Sequence, residues 1–368
     1  MTKRILIAAG GTGGHVYPAI ALAEKLREMH PEIDCHFAGG KLSSNPFFAH
    51  KNFDFTEVKC GSLGGKGFSL VKEAASISRG IIESLRLLKS HQPELIVGFG
   101  SYHTFPILAA ARLARIPYVL QEANALPGKV VKFFSSKAVF TGLNFPLASQ
   151  YLKGRTLEIP LPVRKGYKKG SHTHEAACEA FGLDPQRLTC LVFGGSQGAQ
   201  ALNAVVLEML PLFKNDTIQF LHVTGDNAMT DELQRHYVKH NVLAYVTSFE
   251  SRMDLAWSAA GLALTRAGAS TIAEAIEFEV PALLVPYPYA ADQHQDLNAD
   301  FFVETVKAGL KFQQDHLNPN ALYAQIAALR QNPQQLLLWS ENMKKYKLQA
   351  KPRTLDQEIV SFLQKGNV

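Results

Sequence analysis

Near the N-terminus the chain reads Ile5-Leu6-Ile7-Ala8-Ala9-Gly10-Gly11-Thr12-Gly13-Gly14-His15. Five consecutive apolar residues without polar alternation suit a strand buried on both faces, as in a parallel sheet. The glycines allow a tight turn into a helix and a close approach of a ligand to the backbone. The same grammar returns at Thr189-Cys190-Leu191-Val192-Phe193-Gly194-Gly195-Ser196-Gln197-Gly198. Two strand–glycine–helix starts in one chain predict two similar α/β halves.

Further apolar runs extend the pattern. In the first half they are 33–38, 55–60, 94–98, 118–121 and 138–141; in the second, 218–224, 243–247, 262–265 and 282–286. Segments long enough for helices separate most of them, so each half reads as a parallel sheet wrapped by helices. The stretch from Ile159 to Gly170 is rich in Pro, Gly and Lys and reads as the linker. Ligands of such folds bind at the carboxyl ends of the strands.

The chain has 368 residues, a formal net charge of +6 and four cysteines. The length suits two domains. The mild basicity favours acidic partners without choosing among them. Cys35, Cys60, Cys178 and Cys190 form no metal-ligand or disulfide spacing, which suits a reducing compartment. The run Ile5–Ala9 is too short for a signal-peptide core, and no stretch reaches the roughly 18 apolar residues of a membrane span. Membrane contact is therefore expected to be peripheral. Basic and aromatic residues do not interleave as in a nucleic-acid reader, so no nucleic acid is expected.

The glycine turns suit phosphate, because helix-start N–H groups and the helix dipole favour negative charge. Neither turn completes GxGxxG or GxxxxGK[ST]. A third turn, Thr265-Arg266-Ala267-Gly268-Ala269-Ser270-Thr271, leads into another helix, with Ser270 as the expected N-cap. Glu274, one turn further, can accept both hydroxyls of a ribose; the alternative is a helix-start carboxylate that only complements the dipole. His15 is the first candidate for a general base, since imidazole titrates near 6.5; the alternative is a residue that positions the acceptor or caps the helix. Glu122, at a strand end, is the second candidate, or else a carboxylate that orients a neighbour.

Gly10–His15, Gly194–Ala199, Arg266–Glu274 and Asp292–Ala299 occur in an order that resembles the MurG family. Gly61–Gly67, Glu122 with Asn124, and Pro162-Val163-Arg164 are similar as well. The resemblance implies a GT-B architecture, two Rossmann-like parallel-sheet domains facing across a cleft. It implies an acceptor and membrane-facing domain over 1–162, a UDP-sugar-binding domain over 163–345, and a C-terminal helix (346–368) returning to the first. It further implies inverting transfer of N-acetylglucosamine from UDP-GlcNAc to the C4 hydroxyl of MurNAc in lipid I, giving lipid II for peptidoglycan. No cofactor or metal is expected. The implied partners are UDP-GlcNAc, lipid I, an anionic membrane surface at the cytoplasmic face of the inner membrane, and other cell-wall synthesis proteins.

By that resemblance Ser196, Gln197, Ala269, Ser270 and Thr271 face the diphosphate, Glu274 the ribose, Phe249 the uracil, and His294 and Gln295 the sugar. Asn124 and Arg164 help hold the donor. Thr12, Gly13 and Gly14 border the transfer site, with His15 in the base position. Departures fall mostly on the acceptor side: Gly98–Pro106 is poorer in glycine, Gln121-Glu122-Ala123-Asn124 and Leu161-Pro162 differ, and Gly64 replaces a basic residue. Tyr102 and His103 on the altered loop are candidate acceptor contacts. The alternatives are another GT-B UDP-sugar enzyme, with a different acceptor or an epimerase activity, and an idle UDP-sugar-binding protein.

Leu70, Ala74, Ile77, Ile81, Leu85 and Leu88 fall at helical spacing beside Lys66, Lys72, Arg79, Arg86 and Lys89. This stripe reads either as a membrane face or as a core face behind a solvated charged one. From Lys129 to Gly170 the chain carries nine Lys/Arg and one acidic residue, with Phe133 and Phe134 among them, a second possible membrane contact.

Overall fold

The computed structural model describes residues 2–45, 48, 53–60, 68–164, 166–195, 200–214, 216–349 and 353–365. Contacts divide the chain into two compact units, Met1–Lys165 with Pro352–Val368, and Gly166–Lys351. The first crossing falls within the stretch rich in Pro, Gly and Lys. The return crossing lies beyond the expected 345, because one helix runs unbroken over Pro333–Gln349. Its last turn is tied to the second unit: Tyr346 packs edge-on against Phe301, and Lys347 bridges Glu279 at 3.0 Å.

In the first unit the strands are β1 (Lys3–Ala8), β2 (Ile33–Gly39), β3 (Phe55–Glu57), β4 (Leu95–Gly98), β5 (Tyr118–Glu122), β6 (Thr141–Leu143) and β7 (Thr156–Glu158). All pair in parallel, in the order β3-β2-β1-β4-β5-β6-β7. Helices α1 (Gly13–Met29), α2 (Phe68–His91), α3 (Phe105–Ala114) and α4 (Lys129–Phe134) follow β1, β3, β4 and β5. β4 and β5 are buried along their length and β1 from Ile5 onward, which is why they read as apolar runs.

The second unit has β8 (Thr189–Phe193), β9 (Gln219–Val223), β10 (Ala244–Thr247), β11 (Leu262–Thr265), β12 (Ala282–Leu284) and β13 (Gly309–Lys311), all parallel, in the order β10-β9-β8-β11-β12-β13. Its helices are α5 (His174–Glu179), α6 (Gln200–Met209), α7 (Asn227–Lys239), α8 (Met253–Ala259), α9 (Ala269–Phe278), α10 (His294–Asp300), α11 (Pro319–Gln331) and α12 (Pro333–Gln349). The last helix, α13 (Leu355–Lys365), lies on the first unit. There Leu355, Ile359 and Leu363 join the core of Val16, Leu22 and Leu26, and Asp356 pairs with Lys25 at 2.9 Å.

In each sheet the strand order reverses beside the first strand, between β1 and β4 and between β8 and β11. A crevice opens outside the carboxyl ends at such a switch point, and ligands of doubly wound folds bind there. The loops after these four strands therefore define where to look.

Along α2 the stripe splits. Ile81, Leu85 and Leu88 pack into the core beneath it, as the core-face reading expected. Its exposed row carries Lys72, Ala75, Arg79, Ile82, Arg86 and Lys89, a mainly cationic face. The Gly61–Gly67 loop, including Gly64 and Lys66, lies outside the described residues, as does the side chain of Leu70.

Candidate active site

At the first switch point the loop after β1 meets the loop after β4. Gly11 adopts φ +89°, and α1 starts at Gly13 with no acidic residue in its first turn. Thr12 and Gly14 are exposed and Gly13 is buried. Two residues into the helix, His15 Nδ1 lies 2.8 Å from the Phe99 carbonyl oxygen. A carbonyl can only accept, so Nδ1 carries the proton, and in the neutral ring Nε2 carries the basic lone pair. That tautomer is the one a general base needs.

The loop after β4 turns through two positive φ angles, Gly100 at 72° and Ser101 at 67°. Tyr102 is 41% exposed, whereas His103 is only 4% exposed. A Cβ at Gly40 would stand 2.4 Å from His103 Nδ1, and one at Gly10 would stand 2.9 Å from its Cβ. His103 thus wedges behind the glycine turn. Burial, then the charges of Lys41 and His15, holds its pKa below the usual value. A cavity of about 410 Å3 opens beside Gly40, Lys41, Cys60 and His103.

Glu122 ends β5 and is 3% exposed. Its Oε1 accepts from the Asn124 N–H at 2.9 Å and its Oε2 from the Gly128 N–H at 2.9 Å. Burial nonetheless raises its pKa to about 7, against the pull of those bonds. The carboxylate closes the loop that carries half-buried Asn124, a contact that the orienting alternative requires. Arg164 stacks its guanidinium 4.6 Å from the centre of the Tyr17 ring, on α1 two residues past His15.

At the second switch point Gly195 follows β8 with φ +82°. Ser196 and Gln197 lie outside the described residues. After β11, Gly268 rather than Ser270 is the N-cap of α9. Its extended backbone (φ −67°, ψ 144°) makes the turn, and Ser270 enters the helix proper. Ala269 and Thr271 are buried, and the buried Ser270 hydroxyl finds no hydrogen-bond partner among the described residues. An orphaned hydroxyl at a helix start suits an anionic ligand.

Glu274 is half-buried, and its Oε2 accepts from the Trp257 indole N–H at 2.8 Å. Phe249 is 69% exposed on a loop stiffened by the ion pair of Arg252 with buried Glu250, at 3.0 Å. Gln295 accepts the Tyr287 N–H through Oε1 at 3.0 Å. His294 begins α10 after two left-handed residues, Asp292 and Gln293. Such strain gathers at ligand sites. Arg266 is buried and donates to the carbonyls of Val285 and Pro286 at 3.1 and 3.3 Å, so it braces the strand ends.

Three contributors escaped the sequence reading. Phe99 acts through its carbonyl, which no side chain announces. Trp257 and Tyr17 are aromatic residues of kinds that usually fill cores.

Residues 5–140 match the glycosyltransferase family 28 N-terminal domain, and residues 189–357 the glycosyltransferase family 28 C-terminal domain. The chain is 44% identical, over 89% of its length and 88% of the relative's, to the UDP-N-acetylglucosamine–N-acetylmuramyl-(pentapeptide) pyrophosphoryl-undecaprenol N-acetylglucosamine transferase of Protochlamydia amoebophila. It is 33% identical to the protein of that name in Chlamydia trachomatis serovar D, covering 98% of each. The crystal structure of Acinetobacter baumannii MurG superposes with a TM-score of 0.77 over 99% of both chains at 26% identity. With both family domains matched in order, the chain belongs to the MurG family of GT-B glycosyltransferases.

Proposed function

We propose that this protein transfers N-acetylglucosamine from UDP-GlcNAc to the C4 hydroxyl of MurNAc in lipid I, giving lipid II, with inversion at the anomeric carbon. The 44% identity to a transferase of that name, across 89% of the chain, carries the reading. The acceptor oxygen attacks the anomeric carbon as the bond to the diphosphate breaks. The acceptor proton passes to Nε2 of His15, whose tautomer is set by Phe99. The charge arriving on UDP meets the helix start at Ala269–Thr271, where fixed dipoles need no reorganisation.

Glu274 accepts the ribose diol, exposed Phe249 borders the uracil, and Gln295 with His294 reads the sugar hydroxyls. Ser196 and Gln197, outside the described residues, are assigned to the diphosphate by the family resemblance alone. Glu122 acts by holding Asn124, and Arg164 supports the donor from its seat on Tyr17. Tyr102 and the cavity beside His103 face the acceptor.

No helix among the described residues is long and apolar enough to cross a membrane. A lipid-linked acceptor still requires a membrane surface. We place that contact at the cytoplasmic face of the inner membrane, through the cationic row of α2 and through Phe133, 59% exposed and directly after Lys132. Each such cation near an anionic surface contributes about 1 kcal/mol.

The test supplies the purified protein with radiolabelled UDP-GlcNAc and a lipid I analogue, without added metal. A labelled lipid-linked disaccharide supports the reading. Donor binding without product redirects it to another acceptor or to an idle binder.

A further inference from the structure

We propose that Trp257 is a positioning residue for the donor ribose: its indole N–H fixes the Glu274 carboxylate in the orientation that meets the diol. The inference rests on the reading of Glu274 as the ribose ligand. Trp257 is 1% exposed, and its N–H donates to Glu274 Oε2 at 2.8 Å. A buried indole N–H requires a partner, and a carboxylate makes that bond short and strong.

The ring itself is held on two sides. Phe193, the last residue of β8, meets it edge-on with centroids 5.5 Å apart. Phe278, at the end of α9, lies nearly parallel to it at 6.3 Å and 15°. The donor direction is therefore fixed by the strand that leads into Gly194-Gly195 and by the helix that carries Glu274. A glutamate on a half-exposed helix face ordinarily samples several rotamers and loses that freedom on binding. Anchoring one oxygen removes the loss in advance. Each carboxylate oxygen can accept more than one hydrogen bond, so the anchor does not consume the acceptor.

Trp257→Phe keeps an aromatic ring and deletes the N–H. Binding of UDP and of 2′-deoxy-UDP is measured for wild type, Trp257→Phe, Glu274→Ala and the double variant. Wild type is expected to prefer UDP. Trp257→Phe should weaken UDP roughly tenfold, the scale of a hydrogen bond to a charged group, and 2′-deoxy-UDP much less. Added to Glu274→Ala, it should change nothing further. Equal weakening of both nucleotides, or an effect that persists without Glu274, overturns the inference. A wild type that binds both equally, or a preference that survives in Glu274→Ala, overturns the ribose reading and the inference with it. A preference lost in Glu274→Ala but kept in Trp257→Phe overturns the inference alone.

Wild-type protein gives a readout that does not depend on a variant folding. The chain has two tryptophans, Trp257 and Trp339. Their isotope-labelled indole N–H signals are assigned with Trp339→Phe. UDP should shift the Trp257 signal more than 2′-deoxy-UDP does, and equal shifts count against the proposal.

Discussion

The His15 ring donates from Nδ1 to the Phe99 carbonyl oxygen at 2.8 Å, tying the glycine turn after β1 to the loop after β4. One hydrogen bond sets both the tautomer and the direction of Nε2. His15→Ala should lower kcat by roughly 10²–10⁴-fold, the usual worth of a positioned general base. KM for UDP-GlcNAc should move little. A large rise in that KM with kcat preserved would make His15 a donor ligand instead.

Among the described carboxyls of the first unit, Glu122 is the one whose ionisation burial opposes most clearly, with its pKa raised to about 7. A carboxyl raised in the folded state favours folding most below its unfolded pKa of about 4.5. That contribution is lost as pH rises from there to about 7. The stability gap between wild type and Glu122→Gln should therefore narrow across this window, by up to about 3 kcal/mol. Denaturant melts at pH 5 and pH 8 measure it, and a gap that widens with pH contradicts the assignment.

Ser101 holds φ 67° and ψ 147°, a region that glycine alone occupies comfortably. Ser101→Gly should relieve about 1–3 kcal/mol of strain. It should return up to about 1 kcal/mol through the freer unfolded chain. A net gain of about 1 kcal/mol is expected, read as a higher Tm; a lower one would mean that the serine hydroxyl supports the turn.

In the second unit a buried relay runs from Tyr237 through His222 to Asn203. His222 Nε2 donates to Asn203 Oδ1 at 3.1 Å, Nδ1 accepts from the Tyr237 hydroxyl at 3.1 Å, and Asn203 Nδ2 donates to the Thr224 carbonyl at 3.0 Å. The relay ties the first turn of α6 to the end of β9. Burial pushes the His222 pKa down to about 3, so the ring stays neutral. Its contribution is complete above the usual value near 6.5 and is lost as pH falls towards 3. His222→Leu strands two buried polar groups and should cost about 2–5 kcal/mol at neutral pH. A loss under 1 kcal/mol would show that water or repacking satisfies them.

Most of both sheets is legible in the sequence, because strands buried on two faces leave continuous apolar runs such as Cys190–Phe193. β7 and β13 are not. Each is three residues long, at a sheet edge and only partly buried, so neither needs an apolar run. The expected strand at 138–141 is recorded at 141–143, although Val139 already bonds the Tyr118 carbonyl at 2.9 Å. At the site, glycine turns and residue types are visible in the chain, but partners are not. The sequence offers Glu122 as a base or a brace without showing the N–H groups of Asn124 and Gly128 that meet its oxygens. The apolar stripe of α2 reads equally as membrane face or core face until Ile81, Leu85 and Leu88 are seen packed inward.

The most direct test of the account follows the transfer itself, in wild type and in His15→Ala, with radiolabelled UDP-GlcNAc and a lipid I analogue. UDP-GlcNAc affinity is measured by calorimetry on the same samples. The account predicts labelled lipid II analogue from wild type, and from His15→Ala almost none despite unchanged donor affinity. Donor binding by wild type with no labelled lipid product would contradict it.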